Sequence, residues 1–575
     1  MNCNYKNMKK NIFISIFLAC LVPTTFSSCL DTTVLPVDRT IGEEFWQSRS
    51  DVQSMVAGAY QAMASEAVVE RCIVWGDVRS DEVTHLSEGT DAKETAIREI
   101  RLGNMTSNNV YADWTQFYQV INRCNLVLEK APNVLKIDPG YTQSQLATDQ
   151  SQMLALRSLC YFYLLRAFRD VPVTSGAYMN SSQDMENPQQ APAVVLERII
   201  SDLNTAAGHP LSASGFSDWR RYGYINRTGI QAILADVYLW RASMTHDAAD
   251  YQRCVDACEE VISSKMKEQD VNTYDELLIS GREAYNQIFV GQNSDESIFE
   301  LQLDGSNIAN VGLRNMYYYG GGTLANGLLK GTKIFRSDVF ADDEKNFDYR
   351  YYESVVNLSD ANATEFAILK MTDNERTTNG RRQLLTERPA RSADRFAQNW
   401  IVYRLTDVML MEAEALVQLG KLNEAFELVN AVHRRSLTDV SKNTLVAANY
   451  STVSDMEKLV LEERQRELCF EGKRWFDLMR YNYRHMDLGD IANPASILAD
   501  CSYVSTGLDV YWPSAISQEM RSLVERGYTE GGTAILSKIG HEPYLYFPVL
   551  KSELNVNYAL RQNPVYQEAD VYEKN

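Results

Sequence analysis

Apolar residues recur at three- and four-residue steps through much of the chain, the pattern of helices that bury one face. It predicts helices over 43–67, 110–130, 146–169, 193–207, 226–244, 251–264, 400–419, 422–435 and 455–480. Over 226–244, for example, Ile230, Leu234, Val237 and Tyr238 share a face. Several helices come in pairs. In the clearest pair, 409–432, Ala413 and Ala415 lie in the first helix, Leu419-Gly420 closes it and Ala425 opens the second. Small residues at a helix crossing and Gly at the turn follow tetratricopeptide logic. The helix 226–244 with 251–264, and 110–130 with 146–169, read as further pairs. Two long stretches, 268–399 and 482–544, break the pattern; they hold short strand-like pieces such as 297–303. Loops of this length in a compact protein are usually functional when aromatic-rich. The expected fold is mostly α, a tetratricopeptide-like helix-pair scaffold with long irregular loops and a few short strands.

The N-terminus departs from this pattern. Lys6, Lys9 and Lys10 precede an apolar run over 12–22 that is too short to span a bilayer. A basic start, a short apolar stretch and small polar residues make a secretory signal peptide. Met8 is the more natural start. Phe26-Ser27-Ser28-Cys29 then resembles a bacterial lipoprotein cleavage site, with Phe26 where Leu is usual. On this reading Cys29 is the lipidated first residue of the mature protein, followed by a polar tether. Cys20 is the poorer site, because Leu21-Val22 continues the apolar run. The expected organisation is a signal peptide over 1–28, a tether over 29–40, a helical half over 41–290 and a second half with long loops over 291–575.

Charge and composition narrow the function classes. A net charge of −20 over 575 residues excludes a nucleic-acid binder built on a basic stripe. It also disfavours a polyanionic ligand unless a local basic patch overrides the global field. The 32 Tyr and 8 Trp are mostly core, and a surface minority would suit stacking against sugars.

Chemistry-bearing motifs are missing. The cysteines are scattered and form no disulfide framework. Cys254 and Cys258 share a helical face, but no His or Cys pair near them completes a zinc site, so buried structural thiols are expected. No nucleotide-, flavin- or metal-binding motif occurs, and no cofactor or metal is expected. Glu467 and Glu471 are the most tempting carboxylate pair. They lie among Arg464, Arg466, Lys473 and Arg474, so intrahelical ion pairs explain them better than catalysis.

Five ordered blocks resemble the SusD/RagB family: LALRSLCYFYLLR (154–166) ending in DVPV (170–173), with Arg169 where the family usually has Gly; INRT (225–228) running to Tyr238-Leu239; YRLTDVMLMEAEA (403–415); ERQRELCFEGKRWFDL (463–478); and YFPV (546–549), ELN (553–555) and QNP (562–564), with Val565 replacing Gly before Tyr566. In the fourth block Trp475 and Phe476 read as core, with Glu471 and Arg474 placed to pair at i, i+3. The resemblance implies about four tetratricopeptide-like pairs. It also implies a lipid-anchored position on the outer face of the outer membrane, as a lid on a SusC-like TonB-dependent transporter, with ligand held by the irregular loops.

A glycan-binding lid needs rigid aromatic faces and fixed polar groups. Two stretches fit: Trp75 with Asp77, Arg79 and Asp81, and Tyr317, Tyr318 and Tyr319 beside Gly320-Gly321-Gly322. Trp219 is a third candidate. The expected function is therefore a non-enzymatic glycan-binding lipoprotein that passes its ligand to the transporter. A RagB-like peptide-binding lid is the variant within the class, and a surface glycoside hydrolase using a carboxylate pair is the rival from another class.

Overall fold

A computed structural model describes residues 43–566 apart from 86–90, 175, 181, 281–283, 306, 319–326, 341–346, 356–362, 372–375, 379–383, 388–395, 487–516, 529–531 and 541. Two units are distinguished, Met1–Phe45 and Trp46–Asn575. In the first, the described part is a 3-10 turn at Glu43–Phe45. Cys29 and the signal peptide lie outside the described residues.

The second unit is built on helices, as the apolar spacing predicts. The principal ones are α1 (Arg49–Met63), α2 (Glu66–Asp77), α3 (Ala92–Arg101), α4 (Thr115–Ile137), α5 (Gln143–Phe168), α6 (Pro192–Ala207), α7 (Arg227–Thr245), α8 (Ala248–Gln269), α9 (Leu405–Gln418), α10 (Leu422–Arg435), α11 (Val453–Leu468), α12 (Arg474–His485) and α13 (Gln518–Arg526). They pack in a chain of neighbours: α1 on α4, α4 on α5, α5 on α6, α6 on α7, α7 on α8, α8 on α9, and α9 on α10 and α11. Short turns make α4/α5, α7/α8 and α9/α10 antiparallel hairpins, and all three expected pairs form. Local chemistry sets their ends. His246 closes α7 in the left-handed region (φ 57), and the next residue, Asp247, caps α8 by accepting from the Ala249 N–H. Thr142 and Gln145 form a capping box at the start of α5. Cys254 and Cys258 are buried on the face of α8, with no exposure. Among the described residues no helix is long and apolar enough to cross a membrane.

Two predicted helices are revised. The span 400–419 begins as a strand, Trp400–Arg404, paired antiparallel with Ser297–Leu301 before α9 starts. All five residues of that strand are buried, so its continuous apolar run carries no periodicity to separate strand from helix. The span 455–480 is two helices, α11 and α12. Between them Phe470 (φ 66) and Gly472 (φ 71) take left-handed conformations that no helix tolerates. Gly472 has a second constraint: a Cβ there would lie 2.6 Å from the Cys72 carbonyl oxygen, while a Cβ on Gly76 of α2 would lie 1.9 Å from the Gly472 oxygen. Two bare backbones meet at this crossing.

Arg169 also takes a glycine-like conformation, φ 67, at a cost of roughly 1–2 kcal/mol. Its guanidinium is held by Asp170 at 2.6 Å and by Glu542 at 3.1 Å, all three fully interior. Those charge-assisted bonds fix a turn that a glycine would make without strain.

Glu467 and Glu471 are paired across the fold rather than along their helix, which corrects the intrahelical expectation for them. Glu467 meets Arg404 at 2.6 Å and Arg350 at 3.0 Å, and also Arg435; Glu471 meets Arg404 and Lys370, each at 2.7 Å. Arg474 pairs with Asp81 of the far N-terminal region rather than with Glu471. Only Glu463 and Arg466, at 3.1 Å, realise the i, i+3 pattern on α11. Trp475 and Phe476 are core, as expected.

Candidate functional site

Most of the residues expected to meet ligand are interior. Trp75 has no exposed area: its indole N–H donates to the Tyr111 carbonyl at 2.9 Å and its ring stacks on Phe117 at 4.9 Å. Asp77 accepts from the Gly472 N–H (2.9 Å) and the Tyr317 hydroxyl (3.2 Å), and burial pushes its carboxyl up to about 7. Arg79 lies between the Trp475 and Phe547 rings, 4.7 and 4.6 Å from their centres. Asp81 accepts from Arg474, Arg526 and Gln465. Burial alone would raise its carboxyl; the two guanidiniums overcome that and hold it well below the usual range. Tyr317 is buried against this cluster. These residues join α2 to the α11–α12 turn.

Of the remaining candidates, Tyr318 is half-buried with its ring 5.9 Å from Phe396, and Tyr319 lies outside the described residues. Trp219 is 46% exposed. It sits on the short helical turn that carries Arg220–Gly223, its ring centre 5.7 Å from that of Tyr224 in an edge-to-face arrangement. Gly223 makes room for it: a Cβ there would fall 2.9 Å from the Trp219 indole and 2.6 Å from Gln302.

The same turn walls a groove of about 350 Å³ between the N-terminus of α7, the C-terminal end of α8 and the segment 210–214. Arg221, Tyr222, Arg227, Thr228, Ser264 and Lys265 line it. Asn226 caps α7 there, accepting from the Gly229 N–H and the Thr228 hydroxyl.

A second cavity, about 300 Å³, was not foreseen. Trp114 and Tyr118 at the start of α4, Tyr178 and Asn187 of the loop after α5, and Glu553 and Asn557 near the C-terminus line it. The Tyr118 hydroxyl donates to the Pro172 carbonyl at 2.7 Å, and the Tyr178 hydroxyl accepts from Asn187 at 2.6 Å. Asn122 is bonded to the Tyr178 backbone through both its amide atoms, at 2.9 and 2.7 Å. Burial raises the Glu553 carboxyl, which accepts from the Trp114 indole. Preset aromatic edges beside carboxamides suit an uncharged polar ligand. The sequence signal was faint: Trp114 and Tyr118 at i, i+4 read as an ordinary helix face.

Comparison with known proteins agrees over most of the chain. Residues 280–566 match a family model described as the SusD family, and residues 35–239 match one described as starch-binding associating with outer membrane. The chain is 26% identical over 504 residues to SusD-like protein P38 of Formosa agariphila, covering 82% of this chain and 92% of that protein. It is 24% identical over 485 residues to SusD-like protein P2 of the same organism, covering 79% and 88%. Among crystal structures, a SusD homolog from Bacteroides thetaiotaomicron superposes with a TM-score of 0.66 at 18% identity, covering 91% of this chain and 98% of that one. A SusD superfamily protein from Bacteroides vulgatus gives 0.65 at 18% identity, covering 90% and 99%. The fold is thus that of these structures.

Proposed function

The chain belongs to the SusD family, and we propose that it is a non-catalytic, glycan-binding protein of the outer membrane. It is anchored through acylated Cys29, faces the cell exterior and delivers oligo- or polysaccharide to a SusC-like TonB-dependent transporter. The observation that carries this reading is the match of residues 35–239 to the starch-binding, outer-membrane-associating model. Both cavities described above draw most of their walls from that stretch. The exposed indole of Trp219 and the amide-rimmed cleft around Tyr178 supply the two things sugar recognition needs, apolar aromatic surface and fixed hydrogen-bonding groups. Binding without hydrolysis is supported by the state of the most tempting acid pair: Glu467 and Glu471 are buried and consumed by Arg404, Arg350, Arg435 and Lys370.

Calorimetry of the purified protein against a panel of oligosaccharides and peptides tests the reading. At least one glycan should bind with its chain length unchanged afterwards. Peptide binding alone, or release of shortened products, would refute it. For the anchor, Cys29→Ala should move the protein from the membrane fraction to the soluble one; equal membrane retention would remove the lipid.

A further inference from the structure

The groove beside Trp219 differs in charge from the molecule around it. The chain carries a net −20, yet the groove is lined by three cations, Arg221, Arg227 and Lys265, against one carboxylate, Glu268, which Arg221 already engages. Arg227 has only an outward pair with half-exposed Glu260, at 3.1 Å.

Lys265 is the informative member. Its side chain is 2% exposed, and a buried ammonium normally has a carboxylate partner. Here it donates to the Asp295 carbonyl at 2.9 Å and sits 5.0 Å from the Tyr222 ring. Among the described residues it makes no ion pair. The nearest acids are turned elsewhere: Asp295 offers its backbone, and Glu300 is engaged by Asn399 at 2.8 Å and by the Asn293 N–H at 3.1 Å. Burial, and then Arg221, lower its affinity for a proton to a pKa of about 8. An anion entering the groove would reverse that and leave the ammonium compensated.

The rest of the lining describes what carries the anion. Thr228 and Ser264 present hydroxyls, and the aromatic side chain in the wall is Tyr222, whose ring lies 5.0 Å from the Lys265 ammonium. Hydroxyl partners beside a cationic end match a sugar bearing an acidic group. Resting on the glycan-binding reading, we infer that the 210–228 groove is a subsite for an acidic sugar, a uronate carboxylate or a sulfate ester, held between Lys265, Arg221 and Arg227 with its hydroxyls toward Thr228 and Ser264.

The test is titration calorimetry of the full mature chain with four probes: tri-galacturonic acid, a sulfated galactotriose, neutral galactotriose and inorganic sulfate. At least one acidic trisaccharide should bind tenfold or more tightly than galactotriose, and this advantage should collapse in Lys265→Met and in Arg227→Gln. Arg227 is about half exposed, so its variant carries the test if Lys265→Met fails to fold. Equal affinity for acidic and neutral trisaccharides, an advantage that survives Arg227→Gln, or sulfate alone binding as well as the sulfated sugar would each overturn the inference. Binding of neutral glycans with no acid preference removes this subsite alone. Absence of binding to any glycan in the wider panel removes the glycan reading as well.

Discussion

Two short stretches of this chain have nearly the same composition and opposite fates. Residues 75–81 hold a Trp, a Gly, two Asp and an Arg; residues 218–223 hold an Asp, a Trp, two Arg, a Tyr and a Gly. In the first, the indole, both carboxylates and the guanidinium are wholly interior, whereas in the second Trp219 and the Arg220–Asp218 pair at 2.8 Å face solvent. The difference lies in what precedes them. Val68, Val69, Cys72, Ile73 and Val74 drive α2 into the interior, and its charged members Glu70 and Arg71 are paired there with Lys93 and Asp113. The residues before Asp218 are Ser212, Ser214, Gly215 and Ser217, which bury little. A tryptophan among charges is therefore a ligand plate only where its flanks cannot drive burial.

That contrast can be broken from either side. The largest effect on stability is expected inside. Asp81→Ala strands Arg474, 2% exposed, without its carboxylate, and should cost about 3–5 kcal/mol in denaturant unfolding. Because the Asp81 carboxyl is held low in the fold, its contribution is present above the ordinary carboxylate range and fades as pH falls through it. The deficit of the variant should therefore shrink in acid; a variant as stable as the parent at pH 7 would show that burial there needs no pairing.

An interior carboxylate without a partner should behave oppositely. Glu412 is 5% exposed, one of its oxygens lacks a hydrogen bond, and burial with nearby Glu259 and Glu424 lifts it to about 8. A raised carboxyl favours the fold below its unfolded pKa and loses that contribution as pH climbs to 8. Glu412→Gln should gain roughly 1–3 kcal/mol at pH 8 and nothing at pH 4; an equal effect at both would contradict the assignment.

On the surface side, Gly223→Val should destabilise by about 1–3 kcal/mol, because its side chain must displace Gln302 or the indole. It should also weaken glycan binding, so unchanged affinity would detach the indole's pose from function. Smallest of all, Trp219→Ala should shift stability by no more than about 0.5 kcal/mol while lowering glycan affinity roughly three- to tenfold. Intact affinity would leave Trp219 an ordinary exposed residue.

How much of this was readable beforehand follows the same logic. Helix positions were, most clearly in α6, α8 and α10, which repeat buried positions at three- and four-residue steps; α10, at Leu422–Arg435, matches its predicted bounds. The strand Trp400–Arg404 was not, since WIVYR is apolar on both faces. Nor was the break at Phe470, whose left-handed backbone no composition announces. Helices α2 and α3 were missed, α2 because its all-round burial erases periodicity. The sites fared worse. Trp219 was placed correctly on the surface, but Trp75 and Tyr317 were not, because the partners that bury them come from other elements: Phe117 and Phe168 pack on Trp75, and Asp77 and Phe470 meet Tyr317. Phe547 and Gly472 are invisible from residue 75. Lys265 gave no warning at all, since a lone Lys in a helix reads as solvated.

The bare crossing of Gly76 and Gly472 bears on the order in which the molecule can assemble. The Asp77 carboxylate beside it takes its bond from a Gly472 N–H 395 residues further along the chain. Contacts of that span close late, after the intervening loop entropy has been lost. The first helices to emerge during synthesis thus wait, unlatched, for nearly the last ones. A chain cut short before residue 463 should leave the face of α2 that meets Gly472 uncovered.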